Sequence, residues 1–319
     1  MIKIVFRCDG GKVPEIGTGH IHRCQTIANY LKKNLKIKNK EIIFCTKKYN
    51  RYKLGYNLLK NKFNLFKIRS NKELNLKNEI NTLCKIKSKL LIVDRLDNFK
   101  KKQILQLKKN YNRIILLDSK SKFKNLCDLT LNPLIFKNHL EVNSGFKYLI
   151  FPTKKEMINK KNNRIFLYFG GYDFNRFESK VFKICDKLFN NFEICTINRL
   201  KSKKNRVKII NKNNFHNLLK SSSASIVNGG LTLFNSIFYS TPSISIPQYN
   251  HQRKNIIIAK KLGLTYYQNN TKNLERSLLY FINKKQIQIN MKKKLILFLK
   301  KFNKDYALNM ILKIYESKN

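Results

Sequence analysis

Gly10-Gly11-Lys12-Val13-Pro14-Glu15-Ile16-Gly17-Thr18-Gly19-His20-Ile21-His22-Arg23 decides how this chain is read. An apolar run, Ile2 to Phe6, comes before it, and residues with helical spacing (Ile27, Tyr30, Leu31) come after it. That order is strand, glycine-rich turn, helix. Glycines let the backbone pass close to a ligand, and a helix start offers free N–H groups and a positive dipole end to an anion. The spacing is neither the full dinucleotide fingerprint nor the phosphate loop that ends in Gly-Lys-Ser/Thr. His20 stands directly after the last glycine, where a neutral imidazole can reach a bound substrate as a general base. A histidine at that point could equally cap the helix, and the residues alone leave both roles open.

Outward from the loop, helical segments alternate with buried strands. Helical spacing covers 21–34, 52–61, 72–87 and 99–110. Apolar runs at 41–45, 63–68, 90–93, 113–117 and 129–131 read as strands. Leu90-Leu91-Ile92-Val93 closes on Asp94, and the next such run closes on Asp118. Continuous apolar runs of this kind mark strands buried on both faces of a parallel sheet. Repeated βα units predict a doubly wound α/β domain with ligands bound at the carboxyl ends of its strands, where the loop, Asp94 and Asp118 would all lie. Either aspartate could instead cap the element that follows it.

Polar residues 153–163 read as a linker, and a second cycle of the same kind begins at Arg164. The length, 319 residues, suits two domains of about 150 residues each. The predicted division is 1–152 and 153–319, two Rossmann-like domains of one class facing a cleft. In the second, Gly170-Gly171 ends a strand and Gly229-Gly230 precedes a helix, with Thr232 in its first turn. Both pairs suit phosphate oxygens approaching backbone N–H groups, though a Gly-Gly pair also serves as an ordinary turn. Gln248, His251 and Gln252 follow the next strand and would join the same rim, or simply start a helix.

The composition is strongly basic, with 67 Lys+Arg against 18 Asp+Glu and a formal charge of +49. Such a balance suggests nucleic acid or an anionic surface. The basic residues are spread over the whole length, however, alongside abundant Asn and Ile. Lys, Asn and Ile share A/T-rich codons, so base composition accounts for the charge without a specific nucleic-acid partner. Glycine is scarce, and eight of the 11 lie in the three loops just described, which marks those loops as sites that need it. The seven cysteines lack CxxC spacing and read as reduced thiols of a cytoplasmic protein. The histidines lack metal-site spacing, and no apolar run is long enough to span a bilayer. Neither a metal nor a cofactor is expected.

Phe6-Arg7-Cys8-Asp9 followed by Ile16-Gly17-Thr18-Gly19-His20-Ile21-His22-Arg23 resembles the N-terminal signature of the UDP-2,4-diacetamido-2,4,6-trideoxy-β-L-altropyranose hydrolases of pseudaminic acid biosynthesis. Leu91–Asp94, Leu116–Asp118, Cys127–Asn132, Ser144–Tyr148, Phe169–Asp173 and Asn228–Asn235 are similar in order and spacing, so the likeness covers about residues 2–265. The resemblance implies the two-domain GT-B architecture shared with MurG-like glycosyltransferases. It also implies metal-independent, inverting hydrolysis of a nucleotide sugar, with UDP as leaving group. On the matching positions His20 would activate water. Gly17, Gly19, Arg23, Asp94, His251 and Gln252 would contact the substrate, and Gly170, Gly171, Asn228, Gly229, Gly230, Leu231, Thr232 and Asn235 the nucleotide. The chain departs from that pattern at Asn235, where Glu is usual, at Asp94-Arg95-Leu96, where Asp-His-Tyr is frequent, and at His251, where Asn is common. Two other readings stand beside the hydrolase: a glycosyltransferase of the same fold, and a non-catalytic polyanion-binding protein.

Overall fold

The computed structural model describes residues 1–12, 16–68, 76–95, 98–133, 143–151, 162–170, 173, 175–197, 207–211, 214–269 and 273–317. The expected linker lies almost wholly outside this set, as do Leu96 and Gly171. The chain divides into two units, residues 1–153 with 304–319, and residues 154–303.

The first unit begins with β1 (Ile4–Cys8), α1 (Gly19–Leu35), β2 (Ile42–Lys47), α2 (Lys53–Lys60) and β3 (Asn64–Ile68). It continues through α3 (Leu76–Leu83), β4 (Ser88–Asp94), α4 (Lys101–Lys108), β5 (Tyr111–Leu117) and β6 (Leu129–Leu131). All pairings are parallel, in the order β3-β2-β1-β4-β5-β6. That is the doubly wound order whose topological switch lies between the first and fourth strands. Strand β1 is buried along its whole length. Ile4, Phe6 and Cys8 pack with Ile21, Ile27 and Leu31 of α1 on one face. Val5 packs with Ile80, Ile104 and Leu107 on the other. Helix α1 buries Ile21, Cys24, Ile27, Ala28 and Leu31, the three-to-four spacing of a single face. It stops at Lys36, which adopts the left-handed conformation (φ 52°).

The second unit runs β7 (Asn162–Tyr168), α5 (Phe177–Leu188), β8 (Glu193–Thr196), β9 (Val207–Ile209), α6 (Phe215–Ser221) and β10 (Ser222–Val227). It then adds α7 (Leu231–Phe238), β11 (Ser243–Ser245), α8 (Asn250–Lys261), β12 (Tyr266–Tyr267), α9 (Leu274–Asn283) and α10 (Lys285–Lys300). Its parallel sheet is ordered β12-β11-β10-β7-β8-β9, the topology of the first sheet repeated. Strand β12, two residues long, gave no sequence signal.

The last helix, α11 (Tyr306–Glu316), belongs to the first unit. Ala307, Leu308, Ile311 and Tyr315 enter the core that holds Ile4 and Phe6. The Tyr30 hydroxyl donates to Asn309 Oδ1, and the Tyr306 ring meets Tyr148 edge-on at 5.6 Å. Residues 304–319 were expected with the second domain. The correction arises because an amphipathic helix does not specify which sheet it covers.

The opening loop is fixed by backbone contacts. Gly55 N donates to Gly10 O at 2.9 Å, Lys12 N to Arg51 O at 2.8 Å and Gly11 N to Gly17 O at 2.7 Å. A Cβ on Gly11 would stand 2.0 Å from Arg51 O, and one on Gly55 would stand 2.1 Å from Gly10 O. Neither overlap can be relieved by turning a side chain. Gly55→Ala is therefore expected to cost about 1–3 kcal/mol, the usual range for overpacking. Thermal unfolding measures it, and an unchanged midpoint would contradict the close approach.

Candidate active site: an Asp–His–Arg cluster and a glycine-lined rim

In the first unit, α1 starts at the carboxyl end of β1 and carries His20 in its first turn and Arg23 one turn on. The two side chains share a helix face because they are three residues apart. That face meets Asp94, the last residue of β4. His20 Nδ1 lies 2.7 Å from Asp94 Oδ1. Arg23 Nε donates to Asp94 Oδ2 at 2.7 Å, and Nη2 donates to Oδ1. Arg23 Nη1 is ion-paired with Asp118 Oδ2 at 2.6 Å, just beyond β5. The Cys24 thiol adds a long contact to Asp94 Oδ2 at 3.6 Å.

The electrostatics follow from burial. The side chains of Asp94 and Arg23 are 0% and 1% exposed. Burial by itself would raise the Asp94 carboxyl, but Arg23 and His20 hold it well below the ordinary carboxylate range. Burial works against the charged Arg23 in the same way, and Asp118 and Asp94 reverse it, so the guanidinium stays charged. An ionised carboxylate only accepts hydrogen bonds, so His20 Nδ1 carries a proton, and in the neutral ring Nε2 then presents its lone pair. Nε2 has no hydrogen-bond partner among the described residues, and the His20 side chain keeps 9% exposure. An imidazole oriented by a buried carboxylate, with its far nitrogen free, has the arrangement that general bases use.

Arg23 and Asp94 were expected among the substrate contacts; in the structure both are buried and bound to each other. Asp118 joins them instead of capping a helix. Gly17 takes a positive φ of 53° with open space where a Cβ would stand, and Gly19 opens α1. Gly10 and Gly11 are committed to backbone packing. A second buried charge cluster had no sequence signal. Arg7 donates through Nε to Glu79 at 2.8 Å and through Nη2 to Asp9 at 2.6 Å, and Arg95 also binds Glu79. Among the described residues no group of three or more His, Cys, Asp or Glu is arranged to hold a metal ion.

In the second unit the carboxyl ends of β7, β10 and β11 converge. Phe169 O accepts Asn228 Nδ2 at 2.8 Å and Gln248 Nε2 at 3.1 Å. Asn228 Oδ1 accepts Gly230 N at 3.2 Å. Gln248 Nε2 also reaches Asp173 Oδ1 at 2.9 Å, and its N–H donates to Gln252 Oε1 at 2.9 Å. Gly170 needs its missing side chain, with φ 96° and Asn228 Nδ2 only 3.2 Å from where a Cβ would stand. Gly229 is required by α8, because a Cβ there would meet Gln252 O at 2.4 Å. At Gly230 a Cβ would stand 3.3 Å from Asn228 Oδ1, and the residue precedes α7 without any side-chain cap. The first N–H groups of α7, at Leu231 and Thr232, have no intrahelical acceptors and remain available as donors. Asn235 is half-buried on α7, and its side chain makes no hydrogen bond with a described residue. His251 is exposed and stacked on Tyr249, at 5.7 Å and 7°. The structure thus joins Gly170, Asn228, Gly229, Gly230 and Gln252 through direct contacts and leaves Asn235 and His251 outside that network. Gln248, expected on this rim, ties the two loops together through Phe169 O and Asp173.

No family model matches the chain. The uncharacterized protein MJ1062 of Methanocaldococcus jannaschii is 28% identical over 292 residues, covering 79% of this chain and 57% of that protein. The chain therefore spans little more than half the length of this curated relative. MurG of Acinetobacter baumannii has a similar structure, with TM-score 0.69 and 10% identity, covering 99% of this chain and 100% of that one. A Listeria monocytogenes protein described as a UDP-N-acetylglucosamine 2-epimerase gives TM-score 0.61 at 11% identity, covering 100% and 98%. These likenesses over the whole chain, with two parallel six-stranded sheets of one topology, establish the GT-B fold.

Proposed function

We propose that the chain is a nucleotide-sugar hydrolase that releases UDP from a UDP-linked 2,4-diacetamido-2,4,6-trideoxy sugar in nonulosonate (pseudaminic acid) biosynthesis. The observation that carries this reading is the imidazole of His20, held through Nδ1 by Asp94 with Nε2 unpartnered. In the proposed step Nε2 takes a proton from water, and the water oxygen bonds to the anomeric carbon. The bond from that carbon to the diphosphate oxygen breaks with inversion, and UDP departs carrying the electron pair. The imidazolium so formed is stabilised by Asp94. The second unit supplies the diphosphate contacts: the N–H groups of Leu231 and Thr232, the backbone at Gly170 and Gly230, and Gln252. Charge developing on the leaving group at a helix N-terminus needs no reorganisation of water, which makes UDP a competent leaving group. His20 and these fixed donors are sufficient for the step without a metal. The sugar identity, and the roles of Gly17 and Gly19 beside it, rest on the sequence resemblance. UDP recognition also fits the likeness to a structure described as a UDP-N-acetylglucosamine 2-epimerase.

The fold shared with MurG supports one alternative, a glycosyltransferase in which an acceptor hydroxyl replaces water at the same base. Nucleotide release from a panel of UDP-, CMP- and GDP-sugars, followed by phosphorus NMR with and without acceptors, separates the two. The expected result is UDP and an inverted free sugar in buffer alone. Release that occurs only with an acceptor establishes the transferase, and no release from any donor sinks both.

A further inference from the structure

Asp118 is set against Arg23, with its side chain 1% exposed. Its backbone is in the left-handed region, φ 51°, and its N–H donates to Leu131 O at 2.9 Å, so the position is fixed by strand β6. The guanidinium is divided as a result, with Nε and Nη2 on Asp94 and Nη1 on Asp118. Two strand ends thereby pin the first turns of α1, and His20, three residues before Arg23, is set in register with Asp94.

Asp94 faces His20, Arg23 and the Cys24 thiol, and Arg23 faces Asp94 and Asp118. We propose that Asp118 is a positioning residue for the base: by holding Nη1 of Arg23 it fixes the guanidinium against Asp94, and so sets the carboxylate oxygen that orients His20. The proposal rests on the reading of His20 as the base.

The test is Asp118→Asn in the full chain, which removes the charge and keeps the shape. The kcat for nucleotide release should fall roughly 10- to 100-fold, the range for outer partners of an oriented imidazole, with KM little changed. The hydrogen-bonded Nδ1–H proton of His20, observed downfield by proton NMR in labelled protein, should move upfield. Asp118→Glu, which keeps the charge, should recover part of both signals. If Asp118→Asn does not fold, Arg23→Lys serves in its place, because one ammonium cannot fork between two carboxylates, and the same losses are expected. A wild-type kcat with an unmoved Nδ1–H signal overturns the proposal even if stability drops. So does a Glu variant that restores neither signal. Should the wild-type protein release no nucleotide from any sugar, the hydrolase reading fails, while the NMR comparison still decides whether Asp118 acts on the imidazole.

Discussion

His20→Asn is expected to lower the kcat for nucleotide release by roughly 10²- to 10⁴-fold, the contribution of a positioned general base. Asparagine can still reach toward Asp94 with an amide N–H but offers no nitrogen basic enough to take a proton from water. Substrate binding should survive, because the proposed diphosphate contacts lie in the second unit, so KM should change far less than kcat. The fold should survive as well: Arg23 continues to satisfy Asp94 through Nε and Nη2, leaving no unpaired buried carboxylate. Steady-state release of UDP, with circular dichroism to confirm folding, is the measurement. A folded variant retaining activity within tenfold of wild type would remove His20 from the mechanism.

Arg7→Met is expected to produce the largest loss of stability, about 3–5 kcal/mol, the cost of removing one member of a buried ion pair. Arg7 is fully buried on β1 and binds both Asp9 and Glu79. Its removal leaves Asp9 with only the Lys47 N–H at 3.0 Å and the Thr46 hydroxyl at 3.5 Å, while Glu79 keeps Arg95. Burial alone would raise the Asp9 and Glu79 carboxyls, but Arg7 in both cases brings them below their ordinary values, with Arg95 assisting. A carboxyl whose pKa is lower in the folded state than in the unfolded chain stabilises the fold above the unfolded value, near 4, and loses that contribution as pH falls toward the folded value. Wild-type stability should therefore hold from neutral pH to about pH 5 and fall below it, as Asp9, Glu79 and Asp94 take up protons. The Arg7→Met protein should begin lower and show a shallower acid limb. Urea denaturation at neutral pH and at about pH 4 checks both statements, and a variant as stable as wild type would mean that the cluster contributes no net stabilisation.

Much of the architecture was legible because parallel strands leave a direct trace. Leu90 to Val93 and Ile114 to Leu117 are apolar without alternation, since both faces of the sheet are covered, and each lies in the strand expected of it. The rule that ligands gather at strand carboxyl ends correctly put the glycine loop, Asp94 and Asp118 on one rim. The connection among them was hidden. The resemblance singled out Arg23, but in a chain with 67 Lys+Arg nothing local shows that its guanidinium is buried against two aspartates. Glu79 was hidden for the same reason, since its partners Arg7 and Arg95 are far from it in sequence or on other elements. Glycine scarcity pointed to the right loops but could not separate two needs. Gly10, Gly11 and Gly229 make room for neighbouring backbone or side chains, whereas Gly17 leaves open space.

The placement of α11 bears on how the protein is made. Leu308 and Ile311 complete a hydrophobic layer whose other members, Ile4, Phe6 and Ile21, are synthesised first. A nascent chain emerging residue by residue carries that layer unfinished, with one flank of its sheet uncovered, throughout translation of residues 154–303. Domains ordinarily mature in the order in which they leave the ribosome. Here residues 154–303, though made later, have all their own strands and helices before the earlier residues do, and the imidazole of His20 is set on a scaffold that closes last.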